Sequence, residues 1–356
     1  MMSDLSPDLP NEGDQPLNPA LCHEVLQGVL TQLETYVFET VAVTLQQAIR
    51  DRLATGNYSE IQSASQLAEI LTTQLQELSG DRHLRLYYSP EPLPHLAPNT
   101  EPTPAELAQQ RHLSSLRNFD FNRVERLAGN VGYLELYGFE PPEFAGETAI
   151  AAMQFLSHTY ALIIDLRHNS GGSPAMVALL CSYLLPEYPP LHLNDLYWRT
   201  DNKTQQWWTI PYLPSKRYLQ KPVYVLTSQT TFSAAEEFTY NLKVLERITV
   251  VGETTRGGAN PGVGQRINDH FWLFVPTGRA INPVTQTNWE GTGILPDVKV
   301  PSELAPKTAH LLALQKLLET QPTGSYEREL RQSLYRVERE LNEQRQALIT
   351  RIGGRA

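Results

Sequence analysis

Cysteine is nearly missing from this chain: Cys22 and Cys181 are the only two among 356 residues, each inside an apolar, helix-like stretch. That excludes a disulfide-stapled scaffold and a zinc knuckle, which need several thiols at characteristic spacing, and leaves two buried free thiols as the expectation. No run of about 20 apolar residues occurs, so no membrane-spanning helix is expected. Clusters of Lys and Arg are lacking too. With 29 basic against 39 acidic side chains, a net charge of -10 and a pI near 5.4, the chain has no footprint for a phosphate backbone or an anionic bilayer. The N-terminus shows no basic segment followed by an apolar core, so no signal peptide is visible; the cytoplasm is the default expectation, with an extracytoplasmic location left open.

What is present suffices for one substantial core and a smaller module, since 41% of the residues are hydrophobic. Residues 1–17 are acidic and proline-bearing without periodicity, which predicts a disordered leader. Asn18-Pro19 has the chemistry of a helix start. From there Leu26, Val29, Leu30, Leu33 and Val37, then Ala42, Leu45, Ile49 and Leu53, then Leu67, Ile70, Leu71, Leu75 and Leu78 recur at helical spacing. Ser63 and Gln66 form a capping-box pattern, and Gly80 offers a left-handed stop. A small helical bundle over 18–88 is therefore expected, turning strand-like at Asp81 to Tyr88. Six prolines between Pro90 and Pro104 predict an extended linker over 89–117.

From 118 to 302 short apolar runs alternate with helical segments, which predicts a layered α/β core. The runs are Gly132 to Leu136, Ala161 to Leu166, Val223 to Thr227 and Ile248 to Gly252; the helices span about 146 to 158 and follow Pro174 and Ser233. The segment 303–356 reads as helical. Its seam of Leu330, Leu334, Val337, Leu341 and Leu348 is expected to dock on the body of the same chain, with a homo-oligomer through this C-terminal helix as the competing reading.

Three segments carry candidate chemistry. Lys221 to Tyr240 (KPVYVLTSQTTFSAAEEFTY) runs from an apolar strand through a polar turn into a helix, which puts Ser233 at the helix entrance, where free N–H groups and the positive end of the dipole favour an alkoxide or oxyanion. The plainer reading of that serine is a helix cap. Ala161 to Pro174 (ALIIDLRHNSGGSP) is a buried strand leading into Gly171-Gly172, whose backbone can approach a ligand and offer an N–H; Asp165, Arg167 and Asn169 are expected to brace this loop. Asn282 to Pro296 (NPVTQTNWEGTGILP) holds one acid, Glu290; a carboxylate on such a loop can orient an imidazole or hold its positive charge, and the plainer reading is a solvated loop acid. A nucleophilic serine needs a base. Lys243 lies ten residues along the same helix, roughly 15 Å away at 1.5 Å per residue, and is excluded; His83, at the start of a strand, is the candidate.

These segments, in this order, resemble the S41 family of serine peptidases, the tail-specific or C-terminal processing proteases, and within it the branch similar to interphotoreceptor retinoid-binding protein and the tricorn core. The marks are DRHL at Asp81 to Leu84, LIIDLRHNSGG at Leu162 to Gly172, TFSAAEEF at Thr231 to Phe238, VGETTRGG at Val251 to Gly258 and NWEGTGILPD at Asn288 to Asp297. The resemblance implies a ClpP/crotonase-like β/α core. It implies Ser233 as nucleophile and an oxyanion hole made by the amide of Ala234 with that of Gly171 or Gly172. In the processing-protease branch a Lys serves as base, but here Gly258 stands at its position, within Thr255 to Ala259. The tricorn-like branch uses a His and a Glu, which correspond to His83 and Glu290, with Arg82 where that branch has a hydroxyl residue. No PDZ domain fits between Ser89 and Arg117, so the expected partner is a short or unfolded peptide. Such chemistry requires no metal and no cofactor. The rival reading implied by the same resemblance is a non-catalytic binder of an apolar small molecule.

Overall fold

The computed structural model describes residues 13–93, 102–320 and 324–353. In chain order the elements are α1 (Pro19–Gln32), α2 (Glu39–Ala54), α3 (Ala64–Ser79), β1 (Arg85–Tyr88), α4 (Pro104–Ser115), β2 (Phe121–Leu127), β3 (Val131–Leu136), α5 (Pro142–Leu156), β4 (Ala161–Asp165), α6 (Pro174–Leu184), β5 (His192–Trp198), β6 (Lys203–Trp208), β7 (Val223–Thr227), α7 (Ala234–Val244), β8 (Thr249–Gly252), β9 (Gly262–Arg266), β10 (Phe271–Pro276), β11 (Gly278–Ile281), β12 (Val298–Lys299), α8 (Ala305–Thr320) and α9 (Gly324–Gly353). They sort into two compact units. The first joins the N-terminal segment to Tyr197–Thr204 and Asn260–Arg279; the second holds Pro102–Leu196, Gln205–Ala259 and the chain from Ala280 onward. Strands β5, β6 and β11 form a sheet of order β11-β5-β6.

In the first unit the helices begin and end as their sequence predicts. Asn18 Oδ1 accepts the Leu21 N–H at 2.9 Å, with Pro19 as the first helical residue. Ser63 Oγ accepts the Gln66 N–H, and Gly80, at φ 74°, closes α3. The reciprocal half of the expected capping box shifts by one residue, because Gln66 Oε1 accepts from Gln62 N–H. Val25, Leu26, Val29, Leu45, Ile49, Leu67 and Leu71 fill one core together with Leu84, Leu86, Phe271, Leu273 and Val275. The last three belong to β10, which pairs antiparallel with both β1 and β9. The bundle expected over 18–88 thus closes its core with strands from far along the chain, and a Cβ at Gly28 of α1 would fall 2.4 Å from the Ile267 side chain.

Two expectations fail locally for a hydrogen-bonding reason. The leader was to be disordered to Leu17; residues 1–12 lie outside the described residues, but 13–17 are tied to the bundle. Asp14 accepts from the Ser65 N–H and O–H, Leu17 N–H donates to Gln62 O, and Ala64 N–H donates to Gln15 O. The linker was to run extended over 89–117; its 94–101 portion lies outside the described residues, yet Pro104–Ser115 is the helix α4. Thr103 and Glu106 complete a capping box there, and Pro104 sits where a missing N–H costs nothing. A third difference is smaller: α5 starts at Pro142, four residues before its expected beginning, since Pro142 suits the first turn.

The second unit is built on a six-stranded sheet of order β12-β8-β7-β4-β3-β2, parallel throughout except for the β3/β2 pair. Strands β4 and β7 are buried at every residue, as parallel strands covered on both faces must be. Period-two alternation divides their side chains. Leu162, Ile164, Val223 and Val225 enter the core shared with α5, α6 and α7, whereas Ile163, Tyr224 and Leu226 enter the one shared with α8 and α9. Leu330 and Val337 of α9 lie in that second core with Ala309, Ala313 and Leu314, so the C-terminal seam docks on its own body. Among the described residues no helix is long and apolar enough to cross a membrane.

If the 260–279 excursion is integral to the first core, Phe271→Ala removes a fully buried ring from it and should cost about 3–5 kcal/mol. Urea denaturation of the variant measures this; a loss under about 1 kcal/mol would show that β10 is peripheral.

Candidate active site

Parallel strands laid side by side deliver their C-terminal loops to one edge of a sheet, the usual seat of chemistry in α/β folds. Here β4, β7 and β8 are consecutive, with Asp165 beside Leu226 and Thr227 beside Gly252. The loops that follow, 166–173, 228–233 and 253–259, carry three of the sequence motifs. The first two are laced together by side-chain and backbone hydrogen bonds. Thr231 Oγ1 donates to Leu166 O, Ser228 Oγ and Thr230 Oγ1 donate to Arg167 O, and Phe232 N–H donates to Asn169 O at 3.1 Å. Arg167 grips both carboxylate oxygens of Asp165, which also accepts from Tyr133 O–H. The bracing role expected of Asp165, Arg167 and Asn169 is therefore what the geometry displays.

Ser233 has φ 55° and ψ -123°, a conformation that costs a residue with a Cβ on the order of 1–3 kcal/mol and persists only where the surroundings impose it. Its backbone is not in the extended region that an N-cap adopts, yet Ser233 and Glu236 are set as a capping box, with the Ser233 side chain toward the Glu236 N–H and the Glu236 carboxylate on the Ser233 N–H. The cap reading of this serine therefore stands beside the nucleophile reading. A strained strand-to-helix turn is also the setting of a nucleophile elbow. Its amide neighbour Ala234 is the first helical residue, with no carbonyl in its own helix to meet.

Glycine is required on the opposing loop. At Gly171 (φ +112°) a Cβ would lie 2.7 Å from Ser233 Cβ, and at Gly172 (φ +139°) one would lie 2.3 Å from Phe139 O. The two glycines differ in what their amides do. Gly171 is buried and its N–H donates to Asn169 Oδ1 at 2.9 Å; Gly172 is exposed, and among the described residues no acceptor takes its N–H.

Two acids govern the third loop. Glu236, fully buried in the first turn of α7, accepts from Ser233 N–H at 3.0 Å, Thr255 O–H at 2.5 Å, Gly257 N–H at 2.7 Å and Gly258 N–H at 2.9 Å. Burial pushes its carboxyl above the ordinary range, and these four donors oppose that rise. Sequence reasoning missed Glu236, although Ser233-Ala-Ala-Glu236 has the spacing of a capping box and could have revealed it. Glu290, half-buried, accepts from Ala259 N–H through Oε2 at 2.5 Å, while the neighbouring Trp289 donates its indole N–H to Gly258 O. Loop 255–259, which carries no lysine, is thus held by carboxylates on both sides. Lys243, set aside on distance, is bound to Leu295 O and Asp297.

Of the predicted residues, Ser233, Ala234, Gly171, Gly172 and Glu290 belong to the second unit, where Ser233, Ala234 and Gly171 are in direct contact. His83 belongs to the first. It stands half-buried on the turn that enters β1, its ring stacked on Phe274 of β10 with centroids 5.8 Å apart and planes inclined by 29°. What holds that turn is Asp81, another buried acid, which residue pattern alone did not single out.

The sequence model of peptidase family S41 matches residues 130–300, and that of the N-terminal domain of peptidase S41 in eukaryotic interphotoreceptor retinoid-binding protein matches 20–117. Among solved structures, mature CPAF aligns with a TM-score of 0.56 at 14% identity, covering 85% of this chain and 99% of that one. A lipoprotein from Streptococcus agalactiae gives 0.51 at 15% identity, covering 84% and 98%. The tricorn protease gives 0.51 at 14%, covering 93% of this chain and 38% of the larger one. At such identities the likeness is one of fold, and the expected mixed α/β architecture with a helical N-terminal region and a C-terminal helix is the fold observed.

Two measurements probe this site. Glu236→Ala leaves buried N–H donors without an acceptor and should cost at least about 3 kcal/mol of stability, read by urea denaturation. Glu237, buried beside it, has its carboxyl pushed up to about 7 by desolvation, with Asn194 pulling the other way. The folded state thus holds this proton more tightly than the unfolded chain. The resulting stabilisation is complete below about pH 4.5 and is lost as pH rises towards 7, by at most about 3 kcal/mol. Glu237→Gln should flatten that part of the stability–pH curve, and an unchanged slope would refute the assignment.

Proposed function

This chain belongs to the S41 peptidase family, and on that footing we propose that it hydrolyses peptide bonds through an acyl-enzyme on Ser233, with His83 as general base and Glu290 as the orienting acid. The observation that carries the reading is the backbone of Ser233: a costly conformation at a helix entrance, packed against Gly171 of the opposing loop. An ordinary helix cap sits in the extended region and needs no such strain.

In the proposed reaction His83 removes the proton from Ser233 Oγ as the oxygen attacks the scissile carbonyl carbon. The carbonyl oxygen becomes an oxyanion, which backbone N–H groups stabilise without rearranging. Ala234 N–H supplies one donor, favoured also by the positive end of α7. Gly172 is the better candidate for the other, since the Gly171 amide is already given to Asn169. The proton on His83 then passes to the leaving amine, the C–N bond breaks, and a water activated by the same imidazole cleaves the ester to release acid and free serine. A peptide is the substrate class the family supports, and short or unfolded chains are proposed because no PDZ domain is expected to capture tails.

The carrier reading has one observation of its own. In the first unit a cavity of about 300 Å³ is lined by Leu17, Cys22, Leu53, Tyr58 and Ile61, with His23 at its margin. A volume of that size is at the small end of ligand pockets.

A fluorophosphonate probe separates the two. The peptidase reading expects labelling of the wild type, none of Ser233→Ala, and a loss of at least about 100-fold in labelling rate for His83→Ala. No labelling of the wild type, with saturable binding of an apolar fluorophore, would favour the carrier.

A further inference from the structure

We infer that Asp81 is a positioning residue for His83, holding the imidazole in place and facing it with a fixed negative charge. The inference rests on His83 being the base proposed above, and its observations lie wholly within the first unit.

Asp81 is 1% exposed, which is rare for an acid unless every lone pair is used. Its partners are one residue of its own turn and two from distant parts of the chain. Oδ1 accepts the His83 backbone N–H at 2.9 Å; Oδ2 accepts Tyr36 O–H at 3.0 Å and Asn260 Nδ2–H at 2.9 Å. All are donors, the set that suits an ionised carboxylate rather than a neutral acid. Since both oxygens are engaged, the group cannot rotate, and the Asp81–His83 turn is locked to it. Phe274 then limits the ring from its face.

The charge faces the ring as well as the backbone. An Asp81 carboxylate oxygen lies within 4.8 Å of a ring nitrogen of His83. At that range a buried carboxylate favours the imidazolium that forms when the base takes up a proton. A structural role alone would need only the backbone hydrogen bond. The assembly of Tyr36 and Asn260 around the other oxygen is what keeps the charge in place.

The test uses the full chain with Asp81→Asn, which keeps an oxygen for the His83 N–H, and Asp81→Ala for comparison. Fluorophosphonate labelling is resolved into a maximal rate and a half-saturating concentration. For Asp81→Asn the maximal rate should fall at least about tenfold, with the half-saturating concentration within about twofold. In a His83→Ala background the same change should have no further effect, because the residue acts through the imidazole. Additive losses, or an unchanged rate, would overturn the inference. NMR of the His83 ring gives a readout independent of turnover: its resonances should move in Asp81→Asn. If the wild type is not labelled at all, the peptidase reading fails on its own, and an unmoved His83 signal would separately refute the Asp81 assignment.

Discussion

The carboxylate of Glu236 accepts hydrogen bonds from four donors belonging to two separate segments, the Ser233 turn and loop 255–259. A buried acid costs free energy unless its lone pairs are matched, so this group dictates where its donors must be. It fixes the Ser233 amide, and with it the turn that would otherwise relax to an ordinary extended cap. It also fixes loop 255–259, whose glycines expose the N–H groups it needs. The strained serine and the ordered glycine loop are two consequences of one ion.

Close backbone approach is the second constraint. Gly171 and Gly172 let loop 166–173 lie against Ser233 and Phe139, and Gly293 lets loop 289–294 lie against Thr255, where a Cβ would fall 2.2 Å from its carbonyl oxygen. Side chains at these points would force the three loops apart. The edge of the sheet is thus a set of backbone segments packed on one another, with N–H groups as its chemical currency. That suits stabilisation of an oxyanion better than recognition of a charged ligand.

Much of this was legible in the residues. Helical spacing located α1 to α3, and fully apolar runs located β4 and β7, because burial on both faces leaves only one pattern. The Ser233 position at a helix entrance followed from a strand, a turn and an amphipathic helix in succession. Less was legible where local chemistry competes. Pro104 read as a breaker and is a helix start, since its meaning depends on whether Thr103 and Glu106 close around it. The strand β10 carries little periodic signal, and its place in the first core depends on helices far away along the chain.

By itself the sequence determined the fold class, the strongly periodic helices and strands and the residue types able to act as nucleophile, base and acid, because these depend on short-range periodicity and on chemistry that each side chain carries with it. Only the tertiary structure decided that Ser233 is held in a strained, non-extended conformation, that the Gly171 amide is already committed, and that Glu236 and Asp81 are buried among donors. Those facts depend on which distant atoms fill a group's hydrogen-bonding capacity, and no local pattern of residues encodes that.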